Sequence, residues 1–269
     1  MIACRTASVA AMAALLVTSA VASCREASAP DVPPVTTALV PAAPRPAEPE
    51  SDAGSLTATP TRAPVTATFV DAPGLVEAPI CSRVMLAVAR GKVVLLGETL
   101  NAGDVLVVTH PDPIKLEGPG LVLVARRDFD PSVCGVKARP VLDKKVVRAT
   151  AAPELRWASG TMAAHLDVGE KLSPDVYLGR LEGTAGVPEH LHTGSWEILA
   201  SIEATGTFVV DGTEGRLGPR QVVMIPPGSK HAWKPDPGSK LLALQLYAPP
   251  GPEQRFVALA ASEADAGKH

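Results

Sequence analysis

The apolar residues of this chain fall in short Val/Leu-rich runs broken by glycine and charged turns. "VMLAVARGKVVLLGETLNAGDVLVVTH" (Val84–His110) holds three such runs, separated by "RGK", "GET" and "NAGD", which is the punctuation of strands joined by tight turns. "GLVLVARRDF" predicts another strand. After a charged junction, "DKKVVRATAAPE", strand signals resume at "TMAAHLDV", "DVYLGRLE", "EILASIEAT", "TFVVDG", "QVVMIP" and "KLLALQLYAP". This turn spacing predicts an all-β sandwich or small barrel. No stretch has the period of a long amphipathic helix.

Two segments at the start break the strand pattern. Residues 1–23 carry an early Arg5, an apolar run through Leu15, Leu16 and Val17, and then small residues. Such a segment reads as a secretory signal whose apolar core is too short to span a bilayer comfortably. Its end, "VASC" (Val21–Cys24), resembles the lipobox of bacterial lipoprotein signals. That resemblance implies cleavage before Cys24, lipid modification of its thiol, and a membrane anchor. Arg25, where many inner-membrane lipoproteins have aspartate, implies the outer membrane, facing the periplasm. The alternatives are an ordinary secretory signal cut near Ala22 or Ser23, or an uncleaved anchor. Residues 24–65, dense in Pro, Ala, Ser and Thr, cannot bury enough surface to offset their ordering entropy and read as a semi-extended tether.

Composition narrows the partners. Of 269 residues, 46% are hydrophobic and only 3% aromatic, so the core is aliphatic, and a formal charge of −3 gives no footprint for nucleic acid. There are four cysteines. Cys4 leaves with the signal and Cys24 would carry lipid, which leaves Cys81 and Cys134 as an even pair in an oxidising compartment and predicts a disulfide.

The candidate chemistry lies in "EHLHTGSWE" (Glu189–Glu197) and "IPPGSKHAW" (Ile225–Trp233). Strand alternation points His190 and His192 the same way. A turn at "TGS" lets Glu197 come back across from them, and His231 follows a Pro-x-Gly turn at Pro226 and Gly228. Three imidazoles and one carboxylate suit one divalent ion: Mn, Fe, Ni, Cu or Zn. His165 reads as a lone core or surface residue.

These two stretches resemble the paired motifs of the cupin superfamily. Gly186–Gly206 is similar to the first, with its H-x-H-x(3,4)-E core, and "IPPGSKH" to the second, P-x-G-x-x-H. The resemblance covers Leu155–Pro252. It implies a double-stranded β-helix, or jelly-roll, barrel with His190, His192, Glu197 and His231 as ligands to one ion. Two turn positions depart from the pattern: Ala204 stands for a glycine, and Arg220-Gln221 for Gly-Asp.

A faint repeat extends the picture to residues 66–148. "VMLAVARGKVVLLGETLNAGDVLVV" echoes "EILASIEATGTFVVDGTEGRLGPRQVVMI". Matching Gly91 to Ala204 and Gly103 to Arg220 puts Glu77 and Pro79 at the motif histidines, Val84 at the glutamate and Ile114 at the last histidine. The expectation is a bicupin-like chain: a degenerate, metal-free unit over 66–148, a metal-binding barrel over 149–260 and a disordered tail over 261–269. The pocket candidates beside the ion are Phe208, Met224, Trp233, Gln245 and Tyr247.

Four protein ligands leave two positions open on an octahedral ion, which supports a Lewis acid or an activated water. Fold does not choose among chemistries. One reading is a mononuclear-metal enzyme of dioxygenase or decarboxylase type acting on a small oxygenated molecule. Another is a non-catalytic metal or small-ligand binding module of the envelope, and a third is an ion used as a structural staple. The small-molecule partner is unnamed, and a homodimer is compatible with the sequence. If Cys24 carries the anchor, Cys24→Ala moves the protein to the soluble fraction or leaves an uncleaved precursor. Unchanged fractionation and mass would refute it.

Overall fold

The computed structural model describes residues 63–79, 81–109, 113–130, 143–151, 153–166 and 173–266. The expected signal and nearly all of the tether, with Cys24, and also Cys134, His110 and His269, lie outside the described residues. The described residues all belong to one compact unit, 35–269. Val65, at the end of the expected tether, is already core, 1% exposed.

Sixteen strands form the described part. β1 (Thr66–Val76), β2 (Ser82–Leu95), β3 (Glu98–Asn101), β4 (Val105–Thr109), β5 (Ile114–Asp128) and β6 (Asp143–Val147) make one sheet, ordered β1-β5-β2-β4-β6 with β3 on β2. The second half has β7 (Glu154–Trp157), β8 (Met162–Leu166), β9 (Tyr177–Gly183), β10 (Val187–His190), β11 (Trp196–Glu203) and β12 (Gly206–Val210). It continues with β13 (Thr213–Leu217), β14 (Val222–Ile225), β15 (His231–Pro235) and β16 (Leu241–Ala248). These ten strands divide into two sheets, β14-β11-β16-β9-β8-β7 and β10-β15-β12-β13.

The two halves share one pairing scheme. β2 pairs with β4, β3 and both ends of β5; in the second half β11 and β12 divide those pairings between them. Each half has a two-residue hairpin, Leu96-Gly97 and Asp211-Gly212, with both residues at positive φ. That is the turn whose twist matches antiparallel strands. The match of Gly103 to Arg220 holds: both have positive φ, and their N–H groups donate to Val88 O and Ser201 O. Arg220 takes a conformation that glycine adopts more cheaply, and its guanidinium reaches Asp71 in β1, 2.7 Å away.

Register also tests the expected site positions of the first half. Val84 faces Val108 and Arg126 as Glu197 faces Ile225 and Tyr247, so Val84 does occupy the glutamate position. Ile114 is not the counterpart of His231. Leu116 is, because it pairs with Leu95 as His231 pairs with Val210. Opposite Leu116 stands Gly74, as His190 stands opposite His231, so Glu77 and Pro79 are displaced too. Val108 to Leu116 is two residues longer than Ile225 to His231, a shift that matching one hairpin cannot reveal.

Strand alternation gives each half two apolar faces. Val84, Leu86, Val88, Leu95, Leu106, Val108 and Leu116 fill the first barrel with aliphatic side chains. Met85, Ala87, Val105, Val107 and Leu123 point the other way. They form one core with Leu178, Ile198, Ala200, Leu244 and Leu246 of the second half. The two large sheets therefore pack face to face.

One element runs against the sequence reading. Residues expected to be a tail belong to helix α1 (Gln254–Ala266). Its sequence, "QRFVALAASEADA", is rich in alanine and other good helix formers, and Pro252 precedes it. Its buried stripe is narrow, which hides the period. Phe256 stacks on Trp157, with ring centroids 5.1 Å apart, and Glu263 accepts the Ser159 N–H at 2.9 Å.

Ile198 has no exposure and sits between the halves. Ile198→Ala should cost about 2–5 kcal/mol through the lost burial and the cavity left behind. Leu75→Ala, at a side chain 55% exposed, should change stability by less than about 0.5 kcal/mol. Denaturant midpoints measure both, and equal midpoints would contradict the packing described here.

Candidate metal centre

The four expected ligands come together. His190 ends β10 and pairs with His231 at the start of β15, while Glu197 lies on the interior face of β11. His192 lies in the loop between β10 and β11. The His192 carbonyl accepts the Gly228 N–H at 2.7 Å, so the second motif's turn is tied onto the first. Gly228 has φ +79° with open space at its Cβ position, so its conformation and not crowding favours glycine there. At Gly206 the reason is space: a Cβ would lie 2.4 Å from both the Lys234 carbonyl and the Trp233 ring.

One donor atom from each of His190, His192, Glu197 and His231 lies within 4.8 Å of the others. The Nε2 atoms of His192 and His231 are 3.1 and 2.8 Å from Glu197 Oε2. By distance these are contacts, yet all three atoms are buried and none makes a well-directed hydrogen bond. The Nδ1 atoms of His190 and His231 lie 2.9 and 3.0 Å from the carbonyls of Pro188 and Ser229. A carbonyl only accepts, so each Nδ1 carries the proton and each Nε2 keeps its lone pair for an ion.

The electrostatics agree. Burial opposes a charge on Glu197, but contacts with His192, His231 and Gln245 outweigh it and hold the carboxyl far below its usual range. Gln245 donates from Nε2 to Glu197 Oε1 at 2.6 Å and fixes the carboxylate's orientation. Burial, together with the charge of His231, pulls His190 down to about 4. His231 is also penalised by burial, but Glu197 beside it raises its pKa above the ordinary histidine value. This donor set and its lone pairs fit a divalent ion, and the group can hold one.

A cavity of about 330 Å³ opens from the cluster. Phe208, Trp233, Gln245 and Tyr247 line it as expected. Met224 does not: on β14 it alternates with Val223 and Ile225 and packs into the core between the halves. Trp157, Leu181, Arg255, Phe256 and Leu259 also line the cavity. Sequence reasoning missed them because most come from β7 and α1, outside the motifs. His165 is not isolated. Its Nε2 lies 3.6 Å from both Glu154 and Glu182, whose carboxylates also pair with Arg156 and Arg180. Cys81 is disulfide-bonded; its expected partner, Cys134, lies outside the described residues.

No family model matches the chain, and no curated protein matches it in sequence. Solved structures do match its fold. An oxalate decarboxylase superposes with a TM-score of 0.53 at 10% identity, over 70% of this chain and 69% of that one. The oxalate decarboxylase of Bacillus subtilis gives 0.50 at 12% identity, over 70% and 68%. Both are cupin-fold proteins, and at such identities the likeness speaks for the fold alone. The chain has the all-β cupin jelly-roll fold.

Proposed function

We propose that this chain is a cupin-type metalloprotein of the cell envelope, anchored through Cys24. It holds one divalent ion (Mn, Fe, Ni, Cu or Zn) through His190, His192, Glu197 and His231. The ion's open positions face a small oxygenated molecule in the adjoining cavity. One observation carries this reading: three buried ligand atoms without directed hydrogen bonds lie within 4.8 Å of one another, with two ring tautomers set by carbonyls. A bound ion would supply a Lewis acid or lower the pKa of a coordinated water. The chain's own residues orient the carboxylate, hold the His190 imidazole neutral and line the cavity with aromatic side chains.

Turnover of oxygenase or decarboxylase type is the fuller form of this proposal. A binding module without turnover is the second reading, and the cavity's lining favours it. Among the described lining residues outside the quartet, Glu263 is the one carboxylate, and the Ser159 N–H lies against both its oxygens; the Gln245 amide is no base. A purely structural ion is disfavoured by the open cavity beside the ligands.

Elemental analysis of the purified full-length protein should find one divalent ion per chain, with His165→Ala unchanged and His192→Ala nearly empty. Gln245→Ala should keep the four ligands but weaken affinity by about 10- to 100-fold, because the carboxylate loses its orienting partner. Equal metal in wild type and His192→Ala would reject the site.

Acid should release the ion in order. Because Glu197 raises the pKa of His231 in the ion-free protein, a proton competes there first, and affinity should fall as pH drops through that raised value. His190, pulled down to about 4, should add no proton until the pH nears that lower value. Without metal the sign reverses. The His231–Glu197 pair stabilises the apoprotein below the unfolded histidine pKa, and that contribution is lost as pH rises through the raised folded value. Metal-binding isotherms and apoprotein melting across this range check both signs. Affinity independent of pH would contradict coordination through these imidazoles.

A further inference from the structure

The cavity has a second recognition element besides the ligand quartet. Arg255, in the first turn of α1, lines the cavity and is exposed. Its guanidinium makes no hydrogen bond or ion pair with the described residues. It lines the same cavity as His190, His192, Glu197 and His231. Trp233 adds an indole N–H that is buried and without an acceptor among the described residues. Most of the rest of the wall is apolar, with Trp157, Phe208, Phe256 and Leu259 prominent, and Tyr247 and Ser262 add hydroxyls.

Resting on the metal-centre reading, we infer that the cavity takes a monocarboxylate with an apolar, ring-sized body, and that Arg255 is the positioning residue for its carboxylate. The charge balance calls for an anion. Among the lining residues, a divalent ion with Glu197 keeps one positive charge, Arg255 adds another and the Glu263 carboxylate removes one, which leaves a single positive charge for one carboxylate. A guanidinium pairs with a carboxylate through two parallel N–H bonds, and the N-terminal turn of a helix favours an anion as well. A ring-sized body matches the aromatic wall in chemistry, and about 330 Å³ accommodates it. A small dicarboxylate would leave the apolar wall of Trp157, Phe208, Phe256 and Leu259 without a partner, and so gains less from the cavity than a ring-sized body does.

The test uses the zinc-loaded full-length protein with three probes: benzoate, its uncharged analogue benzamide, and oxalate. Calorimetric titration should show benzoate binding at least about tenfold more tightly than benzamide, the range for a hydrogen bond to a charged group. Oxalate should bind more weakly than benzoate. Arg255→Ala should remove the preference for benzoate, while Arg255→Lys retains part of it because a point charge replaces the fork. Both variants should keep wild-type zinc content and melting temperature, since Arg255 is exposed and is not a ligand. Equal binding of benzoate and benzamide, no binding of either, an unchanged preference in Arg255→Ala, or tighter binding of oxalate would each overturn the inference. Should the wild type take up no zinc, the metal-centre reading fails by itself. The benzoate preference of the ion-free chain, and its loss in Arg255→Ala, then still decides the role of Arg255.

Discussion

A carboxylate that is 3% exposed inside a largely apolar barrel needs compensating charge or hydrogen bonds, and Glu197 imposes that need on everything around it. One oxygen is met by Gln245 from the adjacent strand. The other faces His192 and His231 without a directed hydrogen bond to either. Much of the local architecture serves this arrangement. The Gly228 turn docks on the His192 carbonyl, β15 brings His231 opposite His190, and β16 presents Gln245 and Tyr247 on the interior face. The first half of the chain has valine at the same register position, and its barrel is closed by aliphatic side chains instead.

The cluster of His190, His192, Glu197 and His231 was legible in the sequence because it rests on local spacing. Two histidines two apart reach one point, although His192 lies in the loop just beyond β10 and not on the strand, and a Pro-x-Gly turn ahead of His231 sets its approach. The strands and the repeat were legible for the same reason, through Val/Leu runs and two-residue turns. What failed depended on non-local register or on propensity without periodicity. Ile114 was matched by counting along a hairpin, but the longer connection from β4 to Leu116 shifts the pairing. Met224 was placed by nearness to the motif, and strand alternation sends it to the opposite face. Helix α1 buries Phe256 on one side and leaves most of its surface polar or small, so no helical stripe stands out.

The helix matters more than its length suggests. With β7 it supplies a wall of the cavity, and the Trp157–Phe256 stack and the Glu263 contact to Ser159 hold it there. The motifs thus define where an ion can sit, while residues beyond the motifs shape what can lie beside it. Two chains with identical ligand motifs and different C-terminal segments would present different walls to their ligands.

The back-to-back packing of the two barrels has a consequence for inheritance and engineering. β11 and β16 carry Glu197 and Gln245 on one face, and Ile198, Leu244 and Leu246 on the other, against the first half. Trimming the chain to its ligand-bearing half would turn that rear face toward water as a broad aliphatic sheet, the kind of surface that drives association. The unit without ligands is thus not a dispensable relic of duplication. It is the backing plate that keeps the strands behind the histidine cluster dry and in register, so the two halves are free to diverge in chemistry but not to separate.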